Sequence, residues 1–245
     1  MNKRVYLILS LLVTLITAYP SYAAVKVKLN GTPYLFDTAP RLSDVLAPVA
    51  FQKQWYWPAT KLFKQSSVDV DKQRSRLLGL LATQGREYHQ HKSTFQSIIN
   101  QLKSWKLADR IMMQVDFEWA RYSLPNNPRF TPGAFHLLLS ERPTHLYVFG
   151  AVQTPKRIDY QNNTCIEHIV ENIESAPFAD RSYVYLISPQ GKVQKAPVAY
   201  WNRQCVIPMP GSMLYVPLQE HTLFSTISDI NKDIATLAAN RIEQQ

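Results

Sequence analysis

The sequence predicts an α+β protein of two tandem units, each opening as a β-grasp (ubiquitin-like) unit opens. The first carries a helical hairpin insert, and an amphipathic helix ends the chain. Three observations carry this. A strand pair followed by a helix begins twice, near residue 25 and near residue 145. Between Gln52 and Lys106 strand signals give way to apolar stripes at helical spacing. Gly133–Val152 reads as two strands, Ala134–Leu139 and His145–Val152, separated by Arg142-Pro143. Pro143 lacks an N–H and biases Arg142 toward extended geometry, so the chain leaves one sheet here and enters another. The boundaries that follow are 24–141 for the first unit, with its insert at about 52–106, then 142–222 and 223–245.

Residues 1–23 read as a secretory signal peptide. Lys3 and Arg4 precede the uncharged run Val5–Ala18, and Pro20 with Ser21-Tyr22-Ala23 sets a cleavage site before Ala24. The run is too short for a comfortable transmembrane helix, and no later segment approaches the ~20 apolar residues needed. A periplasmic product with no transmembrane span is expected.

Val25–Leu29 alternates apolar and basic residues, Asn30-Gly31 supplies a hairpin turn, and Tyr34–Phe36 returns. Leu42, Val45 and Leu46 then mark a helix within Arg41–Val49. In the insert, Leu77, Leu78, Leu80 and Leu81 mark one helix, which weakens at Gly85. Phe95, Ile98, Ile99, Leu102 and Trp105 mark a second. Such stripes must be buried, so the hairpin should pack on a neighbouring domain. Strand character resumes at Ile111–Phe117. After the seam come a return near Arg157–Tyr160, a helix Cys165–Ile173 capped by Asn163 or Thr164, and strands Tyr183–Ser188, Val193–Ala199 and Met213–Pro217. Gly150 marks a bulge or a close backbone approach within its strand. The last helix starts near Ser225, with Ile227, Ile230, Ile234, Leu237, Ala238 and Ile242 on one face. Its polar face lacks Lys/Arg enrichment, so docking on its own domain is the default reading.

Without the leader, 25 Lys and Arg stand against 18 Asp and Glu, a net +7. That excess favours anionic partners such as acidic polysaccharide, and export argues against nucleic acid. Cys165 and Cys205 enter an oxidising compartment, where one disulfide is the simplest outcome; two buried thiols or a zinc site are the alternatives.

Several pieces together resemble a known family. They are the leader, Trp55-Tyr56-Trp57-Pro58, Asp109-Arg110-Ile111 after the second helix, and the seam Gly133…Arg142-Pro143…Gly150-Ala151-Val152. Val198-Ala199-Tyr200-Trp201-Asn202 and Pro210-Gly211-Ser212-Met213-Leu214-Tyr215 complete the set. In their order and spacing they look like the GfcC family of periplasmic capsule-polysaccharide assembly proteins. The resemblance implies tandem β-grasp domains, a helical hairpin in the first and a docked C-terminal helix. It also implies an architecture similar to the soluble-ligand-binding modules of outer-membrane polysaccharide exporters. A functionally important arginine is implied too. Arg110 matches its place best, and Arg121 is the second candidate.

Enzyme chemistry finds little purchase. Seven glycines leave no phosphate loop and no dinucleotide fingerprint, and there is no Gly-x-Ser-x-Gly. Asp116 and Glu118 would share a strand face, but glycosidases bring paired carboxylates from different elements across a cleft. His89-Gln90-His91 reads as a solvated helix–helix turn rather than a metal site. No cofactor and no metal are expected. Trp55, Tyr56, Trp57 and Phe63 form an aromatic cluster that can stack on sugar C–H faces or anchor the insert. Arg110 can join domains through carbonyls or grip a carboxylate. The expected function is non-enzymatic: assembly or export of capsular polysaccharide or exopolysaccharide, through a glycan or an outer-membrane export protein. A glycan-trimming hydrolase or lyase using Asp116 or Glu118 with Arg110 is one alternative, and a structural component docked on an outer-membrane pore is another.

Overall fold

The computed structural model describes residues 24–220 and 226–242. The expected leader and the expected start of the last helix at residue 225 lie outside these. The first sheet orders its strands β2-β1-β5-β3-β4. These are β1 (Val25–Leu29), β2 (Thr32–Phe36), β3 (Lys61–Lys64), β4 (Arg110–Ile111) and β5 (Gly133–Leu138). In β1 the valines and leucine are buried while Lys26 and Lys28 face solvent, as strand alternation requires. Asn30 and Gly31 at φ 42° and 96° form the tight turn into β2. A short helix α1 (Leu42–Leu46) buries Leu42, Val45 and Leu46 beneath the sheet.

The second sheet repeats this order shifted by five strands, β7-β6-β10-β8-β9. Its members are β6 (His145–Gly150), β7 (Lys156–Asp159), β8 (Tyr183–Ile187), β9 (Val193–Pro197) and β10 (Met213–Val216). The central pairs are parallel in both sheets, β1 with β5 and β6 with β10. All other pairings are antiparallel.

Two stretches depart from the expected elements. β3 lies inside 52–106, where no strand was signalled, so the helical excursion starts only after Lys64. Lys-Leu-Phe-Lys is too short to show alternation, and its buried Lys61 adds a charged letter where a core strand would carry an apolar one. The strand expected over Ile111–Phe117 is confined to Arg110–Ile111. Asp116 instead accepts a hydrogen bond from the Trp119 N–H at 3.1 Å and caps a short helix, α4 (Phe117–Tyr122). Two smaller shifts accompany these. Cys165, not Asn163 or Thr164, stands at the N-cap of α5 (Ile166–Glu171). Ile242 falls beyond the last helix, α6 (Thr226–Ala238), whose end tightens as Asn240 N–H bonds the Leu237 carbonyl.

The hairpin consists of α2 (Val68–Glu87) and α3 (Lys92–Ser104), and α2 runs through Gly85 without a break. A Cβ at Gly85 would sit 3.0 Å from the Phe95 Cβ, so glycine there lets the helices approach closely. Leu77, Leu81, Phe95, Ile98 and Leu102 share one core with Phe149 and Tyr215 of the second sheet and with Ile227, Ile230 and Ile234 of α6. Each such buried side chain contributes about 1.5–3 kcal/mol. The hairpin leaves the first sheet's chain and completes the second sheet's core.

Two buried amides fasten this assembly. Gln101 of α3 accepts from the Gly150 N–H at 2.8 Å and donates to the Gly150 carbonyl at 2.9 Å. Asn231 of α6 donates to the Leu218 carbonyl at 2.8 Å and accepts from the Leu218 N–H and the Tyr215 hydroxyl, each at 2.9 Å. Cys165 and Cys205 are joined in a disulfide, which ties the 199–206 loop to the start of α5.

His136 lies on β5 opposite Lys28 and Phe63. Burial first, then the Lys28 charge, holds its pKa below 6.5. The unfolded chain therefore takes the proton more readily. The contribution of neutral His136 is intact above about pH 6.5 and is lost as pH falls through the lowered folded-state value. His136→Gln is expected to flatten the fall in urea midpoint between about pH 7 and 5, and an unchanged fall would refute the assignment.

Candidate functional site

Where β5 hands the chain to β6, a groove of about 430 Å³ opens between the two units. The crossing is fixed at both ends. The Asn30 side chain donates to the Leu139 carbonyl at 2.9 Å and accepts from its N–H at 2.7 Å. On the far side Gly211 N–H bonds the His145 carbonyl at 3.1 Å, and Gly211, at φ 79°, leaves room for the Pro143 ring.

The lining comes from both units: Lys53, Trp55 and Lys61 from the first, Arg142 and Pro143 from the crossing, His145 and Arg157 from β6 and β7. Four basic side chains stand against one acid, Glu141, which pairs with Lys53 at 2.8 Å. Both partners of that pair are exposed, so it contributes little stability. The Arg142 guanidinium lies 5.4 Å from the Tyr56 ring centre, and Tyr56 N–H bonds the Ser140 carbonyl at 2.8 Å. Trp55 spends its indole N–H on the Val49 carbonyl at 2.8 Å, so what it adds to the groove is apolar ring. A concave surface with an aromatic wall and excess positive charge can take an anionic ligand with an apolar face.

The expected aromatic cluster is divided. Trp55 lines the seam groove and Tyr56 backs Arg142, whereas Trp57 lines a second cavity of about 400 Å³ with Met112, Asp116 and Gln190. Phe63 is fully buried. Arg110 sits apart from the seam groove. Its guanidinium donates to the Ala239 carbonyl at 3.2 Å and to the Pro189 carbonyl, while its N–H bonds the Asn240 side chain at 3.0 Å. It thereby joins the first sheet's edge to the end of α6 and to the β8–β9 turn, a favourable place for a cation beside helix-terminal carbonyls. Arg121, on α4, is half exposed, 3.5 Å from Glu118 and beside the Phe117 and Tyr122 rings.

Asp116 and Glu118 occupy the cap and first turn of a helix, not one strand face. Among the described residues Asp116 is the only acid lining the second cavity, so no second carboxylate stands there to complete a glycosidase pair. His89–His91 forms the 3₁₀ turn between α2 and α3, but His91 is not simply solvated: its ring stacks on Phe178 at 4.7 Å. Cys165, Cys205 and Glu167 cluster closely, yet both sulfurs are committed to the disulfide rather than available as thiolates. Sequence reasoning passed over Lys61, Arg142 and Arg157 as groove residues. Arg142-Pro143 stood out for its bend, and the basic pair Lys156-Arg157 on an edge strand was the signal left unused.

Among the described residues no helix is long and apolar enough to cross a membrane. The molecule is thus an α+β chain of two like-ordered sheets interlocked by a helical hairpin, with a basic groove at their seam. Residues 21–142 match the family described as Capsule biosynthesis GfcC, N-terminal, and residues 155–243 match Capsule biosynthesis GfcC C-terminal. The chain belongs to the GfcC capsule-biosynthesis family. It is 28% identical over 224 residues to "Uncharacterized protein YjbG" of Escherichia coli (strain K12), an alignment covering 90% of this chain and 91% of that protein.

Proposed function

We propose that this protein is a non-enzymatic periplasmic accessory in the assembly or export of capsular polysaccharide or exopolysaccharide. In this reading its two units are β-grasp modules, and the seam between them engages the glycan or an envelope export partner. Family membership supports the pathway. The repeated strand order with parallel central strands and a helix after each first hairpin supports the β-grasp reading. The leader-like N-terminus supports export.

The observation that carries the reading is the seam groove, wide enough for a sugar residue and lined by an aromatic ring and excess basic charge. A glycan-trimming activity has less support, since Asp116 and Glu118 serve a helix cap and an ion pair. Docking through the last helix has less support as well, since its apolar face is already buried. Deleting the gene is expected to deplete surface capsule or exopolysaccharide, restored by the wild-type gene and measured by uronic-acid and total-sugar assay of washed cells. Unaltered surface glycan would refute the proposal.

A further inference from the structure

We infer that the seam groove is selective for acidic sugars, taking a uronate residue of a glycan chain with its carboxylate on Arg142 and Arg157. The inference rests on the accessory reading above and names its ligand class. Arg142 and Arg157 both line the groove, both are exposed, and neither has an acidic partner among the described residues. Glu141, the one acid of the lining, is occupied by Lys53 at 2.8 Å. The planar guanidinium fork matches a carboxylate in two parallel hydrogen bonds, which a sugar hydroxyl cannot reproduce.

Arg142 is also held in place. Its chain position is set by Pro143 and its guanidinium lies on the Tyr56 ring, so less side-chain freedom is lost on binding. Trp55 turns apolar ring toward the same space, and Ser140 and Thr144 add hydroxyls to it. Anionic charge alone would suit inorganic phosphate. A wall of aromatic carbon beside hydroxyls and guanidinium suits an anion that is part of a pyranose, whose C–H face packs on a flat ring.

The test is titration calorimetry on the purified leaderless chain with oligomers of galacturonate, glucuronate and mannuronate, and with the same oligomers after carboxyl reduction. At least one uronate oligomer is expected to bind, and its carboxyl-reduced form at least about tenfold more weakly. Arg142→Ala and Arg157→Ala should each weaken binding at least about tenfold. Lys103→Gln removes one positive charge, as each arginine variant does, from the exposed side of α3, which contributes nothing to the lining, and should leave binding unchanged. Equal binding of reduced and unreduced oligomers, equal loss in the lysine control, no loss in the arginine variants, or no binding of any uronate would each overturn the inference. The two readings fail separately. A deletion strain that loses surface glycan while the protein ignores uronates ends this inference alone, whereas unaltered surface glycan ends the accessory reading even where uronates bind.

Discussion

Gly150→Ala is expected to destabilise the protein by more than about 4 kcal/mol, enough to leave little folded chain at 37 °C. Gly150 ends β6 at φ 101°, where an L residue is strained by about 1–2 kcal/mol before any contact is considered. Contact then dominates. An added Cβ would lie 2.5 Å from a Tyr215 ring carbon and drive into the Val216 carbonyl, and both neighbours belong to β10 at the centre of the second sheet. The strand cannot withdraw to make room, because Gln101 grips both the N–H and the carbonyl of Gly150 from α3. Relief would break two buried hydrogen bonds, each costing about 1–3 kcal/mol when left unmade. Urea unfolding followed by far-UV circular dichroism reads the effect. A midpoint shift worth less than about 1 kcal/mol would show that the β6–β10 pair yields far more easily than its packing implies.

Asn231→Leu, similar in size but without hydrogen-bonding groups, is expected to cost about 3–6 kcal/mol. Asn231 is completely buried, and its amide serves the Leu218 carbonyl, the Leu218 N–H and the Tyr215 hydroxyl at 2.8–2.9 Å, with a longer contact of 3.4 Å to the Glu220 carboxylate. The Leu218 and Tyr215 groups would be stranded in an apolar core. Tyr215 offers no escape by ionising, since burial pushes its hydroxyl well above the usual tyrosine range. The measurement is the urea midpoint together with hydrogen exchange at the Leu218 amide, which should lose protection along with α6. Retained protection at Leu218 would mean that the apolar face of α6 docks without the amide.

Much of this arrangement could be read from residue order, for identifiable reasons. Asn30-Gly31, the Leu and Phe spacing of α2 and α3, and Arg142-Pro143 are local signals, each written within a few residues. Gly150 was marked as a bulge or a close approach, and the structure makes it the latter, with β10 against it. β3 escaped notice because four residues with lysine at both ends show neither alternation nor an apolar run. α4 escaped because its cap, Asp116, reads equally well as a polar strand position. Gln101 and Asn231 are polar letters on apolar helix faces, and only the backbone they meet gives them meaning. The groove was least legible of all. Its lining is gathered from positions between 30 and 211, so no window of sequence contains it.

The hairpin lent by the early chain to the late chain's core has a consequence for biogenesis. β1 and β5 pair across more than a hundred residues, and the core over α2 and α3 is closed only by α6, the last in chain order of the described helices. The first sheet and its core, within residues 25–139, can therefore settle early, whereas the apolar faces of α2 and α3 stay uncovered until the second sheet and α6 have been made. A ribosome that stops short releases a chain whose greasiest surfaces face water. Such a fragment is prey for proteases, and the cell is spared a partly folded product.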